Sequence, residues 1–185
     1  MPVSLPNLIT IARILIVPLA VWLIIGHQYG LALLAFLAAG ISDAVDGFIA
    51  RRYNLQSELG SYLDPIADKA LLVSIYVSLA ILQVLPNWLA IIVVTRDVLI
   101  VGAVLLAQVL GRPLEMKPLQ ISKINTVAQI FFAGALLLAL SSGLKLDAML
   151  IGGAIMVAAL TLASGAIYMR DWVRHMSGPP GKENA

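Results

Sequence analysis

The chain has 185 residues, 61% of them apolar and 12% charged, with a formal net charge of +2 and a mean hydropathy of +0.96. These values exclude an ordinary soluble domain and predict one integral membrane domain, long enough for about six spans of roughly 20 residues. No cysteine is present, which excludes disulfides, thiolate metal sites and cysteine nucleophiles and leaves carboxylates as ligands for any catalytic metal.

Taken in chain order, apolar runs separated by polar or turn residues predict helices over about 8–26, 30–52, 59–82, 87–110, 121–142 and 147–170. The breaks are His27-Gln28-Tyr29-Gly30, residues 53–57, residues 83–87 with Pro86, Gly111-Arg112-Pro113 and Ser141-Ser142-Gly143. The first run is not expected to be a cleaved signal, because residues 1–7 carry no basic side chain and Arg13 interrupts the run. The expected fold is an all-α integral membrane protein, a six-transmembrane-helix bundle over residues 1–176. Residues 177–185, short, polar and rich in Gly and Pro, are expected as a disordered cytoplasmic tail. His27 and His175 stand alone, without a metal-ligand pattern, and are expected to be structurally bland.

The loop charges orient this bundle. Arg51, Arg52, Arg112, Lys117, Lys123, Arg170, Arg174 and Lys182 fall on one side and Lys145 on the other, which predicts both termini in the cytoplasm. The same side carries the feature that composition cannot explain: Asp43, Asp46, Asp64 and Asp68, at the cytoplasmic ends of the second and third helices. A carboxylate at membrane depth costs at least a few kcal/mol, so four of them must share metal ions, counter-cations or a watery cavity.

On a helix, Asp43, Asp46, Gly47 and Ala50 lie along one stripe with Arg51 beside it, and Asp64 and Asp68 share a stripe on the next helix. Two antiparallel helices can point both stripes into one pocket, a four-carboxylate cage of hard oxygen ligands suited to Mg²⁺, Mn²⁺ or Ca²⁺. Gly47 and Gly60 leave the backbone open to a ligand, and Arg51 offers a planar fork of donors that suits phosphate oxygens. Carboxylates, metal and arginine together describe phosphoryl transfer. A cation pathway is the reading from another class, because intramembrane aspartates also build those. Arg13, Lys69, Arg96 and Asp97 are candidate partners that neutralise the cage.

The full pattern, Asp43-x2-Asp46-Gly47-x2-Ala50-Arg51-x8-Gly60-x3-Asp64-x3-Asp68, resembles the signature of the CDP-alcohol phosphotransferases at every specified position. The resemblance implies a six-helix membrane enzyme, usually homodimeric, in which an alcohol displaces CMP from a CDP-linked donor. It implies that Asp43, Asp46, Asp64 and Asp68 bind two divalent ions, Mg²⁺ or Mn²⁺, and that Asp68 also accepts the proton of the attacking hydroxyl. It places Gly47, Ala50, Arg51, Ser57 and Gly60 around the CDP moiety. The segment Pro6-Asn7-Leu8-Ile9-Thr10-Ile11-Ala12-Arg13 resembles the donor-binding start of the first helix in lipid-synthesising members, which adds Asn7 and Thr10 as CDP-diacylglycerol contacts.

The second half, with Thr95-Arg96-Asp97 and residues 117–129, resembles the branch that holds the cardiolipin synthases and phosphatidylglycerophosphate synthases. The latter typically show Gly-Lys-x-Lys-Thr where this chain has Ser122-Lys123-Ile124-Asn125-Thr126. A second lysine suits the dianion of glycerol 3-phosphate, whereas phosphatidylglycerol offers one diester charge and a neutral glycerol end. The resemblance therefore implies transfer from CDP-diacylglycerol to phosphatidylglycerol, giving cardiolipin and CMP, with Arg96, Lys123 and Asn125 on the acceptor. Glycerol 3-phosphate is the alternative acceptor and a divalent-cation carrier the alternative class. The setting implied is a bacterial inner membrane or its equivalent, with no nucleic-acid partner.

Overall fold

A computed structural model describes residues 5–53, 58–109, 120–144 and 147–177, with the helix backbone alone at 5–11, 44, 46–53, 58–68, 104–105, 107–109, 147–149, 175 and 177. The described residues form α1 (Leu5–Ile25), α2 (Tyr29–Tyr53), α3 (Glu58–Ile81), α4 (Asn87–Val109), α5 (Gln120–Ser141) and α6 (Asp147–Ser177), with no strand among them. The apolar runs of the sequence thus become helices. The largest departure is at α6, which continues past 170 because the Trp172 indole donates to the Ala103 carbonyl at 3.0 Å and holds the last turns against α4. The tail expected over 177–185 lies, beyond Ser177, outside the described residues.

Three helices end in the same way. His27 (φ 56°), Gln83 (φ 58°) and Gly143 (φ 65°) each adopt the left-handed conformation two residues after α1, α3 and α5 stop. At each, one amide bonds back five residues and its predecessor three: Gln28 to Leu23 and His27 to Ile24, Val84 to Leu79 and Gln83 to Ala80, Leu144 to Ala139 and Gly143 to Leu140. These are Schellman caps, which satisfy the carbonyls a helix end leaves open. Beyond its cap, the described contacts of the His27 side chain are with Tyr29: a 2.8 Å bond between Nδ1 and the hydroxyl, and an edge-to-face ring contact.

Helix α1 packs on both α2 and α3; α2 also meets α5, α3 meets α4 and α5, and α6 closes against α4 and α5. The core between them is aliphatic and aromatic, with Ile24, Ile75, Leu89, Val93, Leu137 and Val157 wholly buried. The outside is also apolar: Phe131 is 74% exposed, Ile81 70%, and Leu15 and Trp22 66% each. An exterior of that kind suits lipid or a protein partner better than water. Among the described residues, Gln120–Ser141 and Leu150–Arg174 are long and apolar enough to cross a membrane, and shorter apolar stretches occupy Ala12–Ile25, Tyr29–Asp43 and Lys69–Ile81.

Candidate active site

Helix α2 runs unbroken through positions 43–51 and α3 through 58–68, so the acidic positions keep the helical spacing on which a shared stripe depends. Between these helices lies a cavity of about 520 Å³. Its wall draws on five helices: Arg13 of α1, Phe36 to Asp43 of α2, Lys69, Leu71 and Leu72 of α3, Asp97 of α4, and Thr126, Gln129 and Ile130 of α5. The wall therefore contains Asp43, the first acid of the sequence pattern, and Lys69, the residue directly after the last. The side chains of Asn7, Thr10, Asp46, Ala50, Arg51, Asp64 and Asp68, together with the surroundings of Gly47 and Gly60, lie outside the described side chains, and Ser57 lies outside the described residues.

The charged groups of the wall are paired across helices. Arg13 Nη2 lies 2.7 Å from Asp43 Oδ1, and Arg13 is 1% exposed. Asp97 Oδ1 accepts from Lys69 Nζ at 2.6 Å and from Arg96 Nη1 at 2.7 Å. Arg96 Nη2 donates to Ser122 Oγ and Ser164 Oγ, both at 2.6 Å, while the guanidinium lies 5.7 Å from the centre of the Tyr168 ring. One arginine thereby ties α4 to α5 and α6, and its neighbour Asp97 reaches α3. Buried ions survive in such a setting only when paired and hydrogen-bonded in this manner.

A polar stripe completes the arrangement. Ser122, Asn125, Thr126 and Gln129 recur at helical spacing on α5. Gln129 Nε2 donates to Thr161 Oγ1 at 3.2 Å, Thr161 Oγ1 donates to Asn125 Oδ1 at 2.9 Å, and the Tyr76 hydroxyl donates to the Gln129 carbonyl at 3.1 Å. Asn125 and Thr161 are completely buried, and Asn125 Nδ2 has no hydrogen-bond partner among the described residues. Of the three acceptor residues expected from sequence, Arg96 is buried behind Asp97, Asn125 faces α6, and Lys123 is exposed. The described cavity lining contains none of them; Lys69, Thr126 and Gln129 stand there instead. Gln129 could have been found as the polar residue one turn beyond Asn125 on an otherwise apolar helix.

Chemically, the cavity has a mostly aliphatic wall with cations and carboxylates set into it, which suits an amphiphile with a charged head. The described donor, the Asp43 carboxylate, is a hard oxygen ligand, and it fits Mg²⁺ or Mn²⁺ rather than a thiophilic ion. Among the described residues, no three His, Cys, Asp or Glu side chains come together, so a full cage requires positions 46, 64 and 68.

Comparison with known proteins adds a second, independent line. Residues 3–165 match the family described as CDP-alcohol phosphatidyltransferase. The chain is 37% identical over 182 residues to a Schizosaccharomyces pombe protein named as a cardiolipin synthase (CMP-forming) and mitochondrial hydrolase fusion, covering 89% of this chain and 30% of that protein. It is 36% identical over 154 residues to the Homo sapiens cardiolipin synthase (CMP-forming), covering 75% of this chain and 51% of the relative. A probable phosphatidylglycerophosphate synthase of Mycobacterium tuberculosis is 31% identical over 181 residues, covering 95% of this chain and 84% of the relative. The chain thus spans about half or less of the length of the first two relatives.

Proposed function

Because the chain belongs to the CDP-alcohol phosphatidyltransferase family, we propose that it transfers a phosphatidyl group from CDP-diacylglycerol to phosphatidylglycerol, giving cardiolipin and CMP. The observation that carries this reading is the cavity between α2 and α3, whose wall adjoins both ends of the acidic pattern and is mostly aliphatic with charged groups set into it. Lipid tails suit the aliphatic part and a diphosphate suits the ionic part. Similarity to proteins named cardiolipin synthase (CMP-forming) supports the acceptor.

In this scheme, Asp68 takes the proton from a glycerol hydroxyl of the acceptor, whose oxygen forms a bond to the phosphatidyl phosphorus as the bond to CMP breaks. Arg51 holds the diphosphate oxygens, and Gly47, Ala50, Ser57 and Gly60 shape the nucleotide end, with Asn7 and Thr10 at the start of α1. Asp43, Asp46, Asp64 and Asp68 would hold two divalent ions, Mg²⁺ or Mn²⁺, which supply charge neutralisation for the diphosphate and the leaving CMP. Arg96 and Asn125 act on the acceptor side from behind the wall, while Lys123 offers an exposed charge at the start of α5.

The whole molecule is read as six membrane spans in a homodimer, with the site and both termini in the cytoplasm. Support for that topology comes from the contacts: Arg13 near the start of α1 meets Asp43 late in α2, and Trp172 late in α6 meets Ala103 late in α4. In each contact the outer part of a terminal helix, α1 or α6, meets an even-numbered helix in its later half, as that topology expects. The test is to give the purified protein CDP-diacylglycerol with each acceptor in turn and to identify the lipid product. Cardiolipin and CMP are expected. Phosphatidylglycerophosphate from glycerol 3-phosphate would establish the second reading, to which the similarity to the Mycobacterium tuberculosis protein corresponds; absence of CMP release would leave a cation carrier.

A further inference from the structure

The cluster Lys69, Arg96 and Asp97 contains two cations and one carboxylate, and both cations share a single oxygen, Asp97 Oδ1. Arg96 cannot lose its proton, and its other described contacts, the Ser122 and Ser164 hydroxyls and the Tyr168 ring, are neutral. One positive charge is thus left over among the described side chains. Its location follows from accessibility. The side chains of Arg96 and Asp97 are 5% and 8% exposed, whereas that of Lys69 is 34% exposed and lines the cavity. An ammonium has three donors, and the Asp97 bond uses one.

We infer that Lys69 is a substrate-binding residue whose Nζ receives a phosphate or phosphodiester group in the cavity, with Asp97 holding it in place. The inference rests on the proposed function insofar as that reading assigns the Asp68 carboxylate, one residue away, to other work. A surplus cation set among aliphatic residues such as Leu71 and Leu72 is screened less than one on an open surface, so an anion entering there gains more than it would at a surface. The other charged residues of the cavity are less suited. Arg13 already faces Asp43 at 2.7 Å, and Lys123 does not belong to the described lining. Both substrates of the proposed reaction carry the required chemistry: the donor as a diphosphate, the acceptor as a phosphodiester or phosphomonoester.

The test measures binding without turnover. Purified full-length protein is titrated separately with CDP-diacylglycerol, phosphatidylglycerol and glycerol 3-phosphate, as wild type, Lys69→Gln and Lys69→Arg. Loss of one charge-assisted hydrogen bond should weaken binding of at least one ligand about 10- to 100-fold in Lys69→Gln, with most of the affinity restored in Lys69→Arg. Weakening confined to CDP-diacylglycerol assigns the donor diphosphate; weakening confined to an acceptor assigns that phosphate. In wild type, the same ligand should slow modification of Lys69 by a water-soluble amine reagent, a readout that needs no variant to fold. Unchanged affinities in folded Lys69→Gln, equal losses in both variants, or modification unaffected by every ligand overturns the inference. Wild type that binds these ligands but releases no CMP sinks the transferase reading alone, whereas CMP release with unchanged Lys69→Gln affinities sinks this inference alone.

Discussion

Arg13 on α1 and Asp43 on α2 form a 2.7 Å ion pair in the cavity wall, with unequal exposure: the arginine side chain is 1% accessible and the aspartate 41%. The pair joins the first helix to the first position of the acidic pattern. It also makes the two partners unequal in what their loss should do.

Removing Asp43 leaves a buried guanidinium without that carboxylate, whereas removing Arg13 leaves a carboxylate that water in the cavity can reach. Asp43→Asn should therefore destabilise by about 1–3 kcal/mol, as for a buried polar group that loses its partner, and Arg13→Met by less. Thermal unfolding of both variants in detergent checks the order. The reverse order would mean that Arg13 is held mainly by other contacts.

Asp68→Asn should abolish CMP release while keeping much of the CDP-diacylglycerol affinity, because an amide can fill the position but cannot accept the proton. Donor binding and turnover are measured side by side. Parallel loss of both would give Asp68 a role in holding the donor or metal rather than in proton transfer.

If Asp64 holds an ion, Asp64→Asn should raise the Mg²⁺ or Mn²⁺ concentration needed for half activity, since an amide oxygen is the weaker ligand for a hard cation. A metal titration of CMP release reads the shift. An unchanged midpoint would remove Asp64 from the cage.

Two adjacent glycines of α6 should respond with opposite signs. A Cβ at Gly153 would collide with the Phe132 ring of α5, while one at Gly152 meets nothing within 4 Å. Gly153→Ala should cost about 1–3 kcal/mol through overpacking, and Gly152→Ala should stabilise by roughly 0.4–1 kcal/mol by restricting the unfolded chain. Unfolding midpoints of the two variants decide it.

At the α5 cap, Gly143 has φ 65° and an added Cβ meets nothing within 4 Å among the described residues, so an alanine there feels the backbone conformation. Gly143→Ala should cost about 1 kcal/mol, the left-handed penalty alone. A loss of several kcal/mol would show that the turn packs against something further.

The sequence by itself determined the helices, since apolar runs of this length broken by His27-Gln28, Pro86 or Ser142-Gly143 satisfy their backbone most simply within each run. It also determined the order of the acids, because spacing along one helix is local and the backbone of α2 and α3 preserves it. Only the tertiary structure decided which charges meet. Lys69 and Asp97 stand 28 residues apart, and Arg96 and Ser164 stand 68 apart. Their pairing depends on how each helix is rotated and shifted against its neighbours, which periodicity does not encode. The same holds within α5: the polar stripe was legible as a stripe, but the rotation of the helix sets Asn125 against Thr161 outside the described cavity lining, puts Thr126 in that lining and lets Gln129 touch both. Rotation is set by packing over the whole buried face, where Phe132 against Gly153 counts as much as any polar residue.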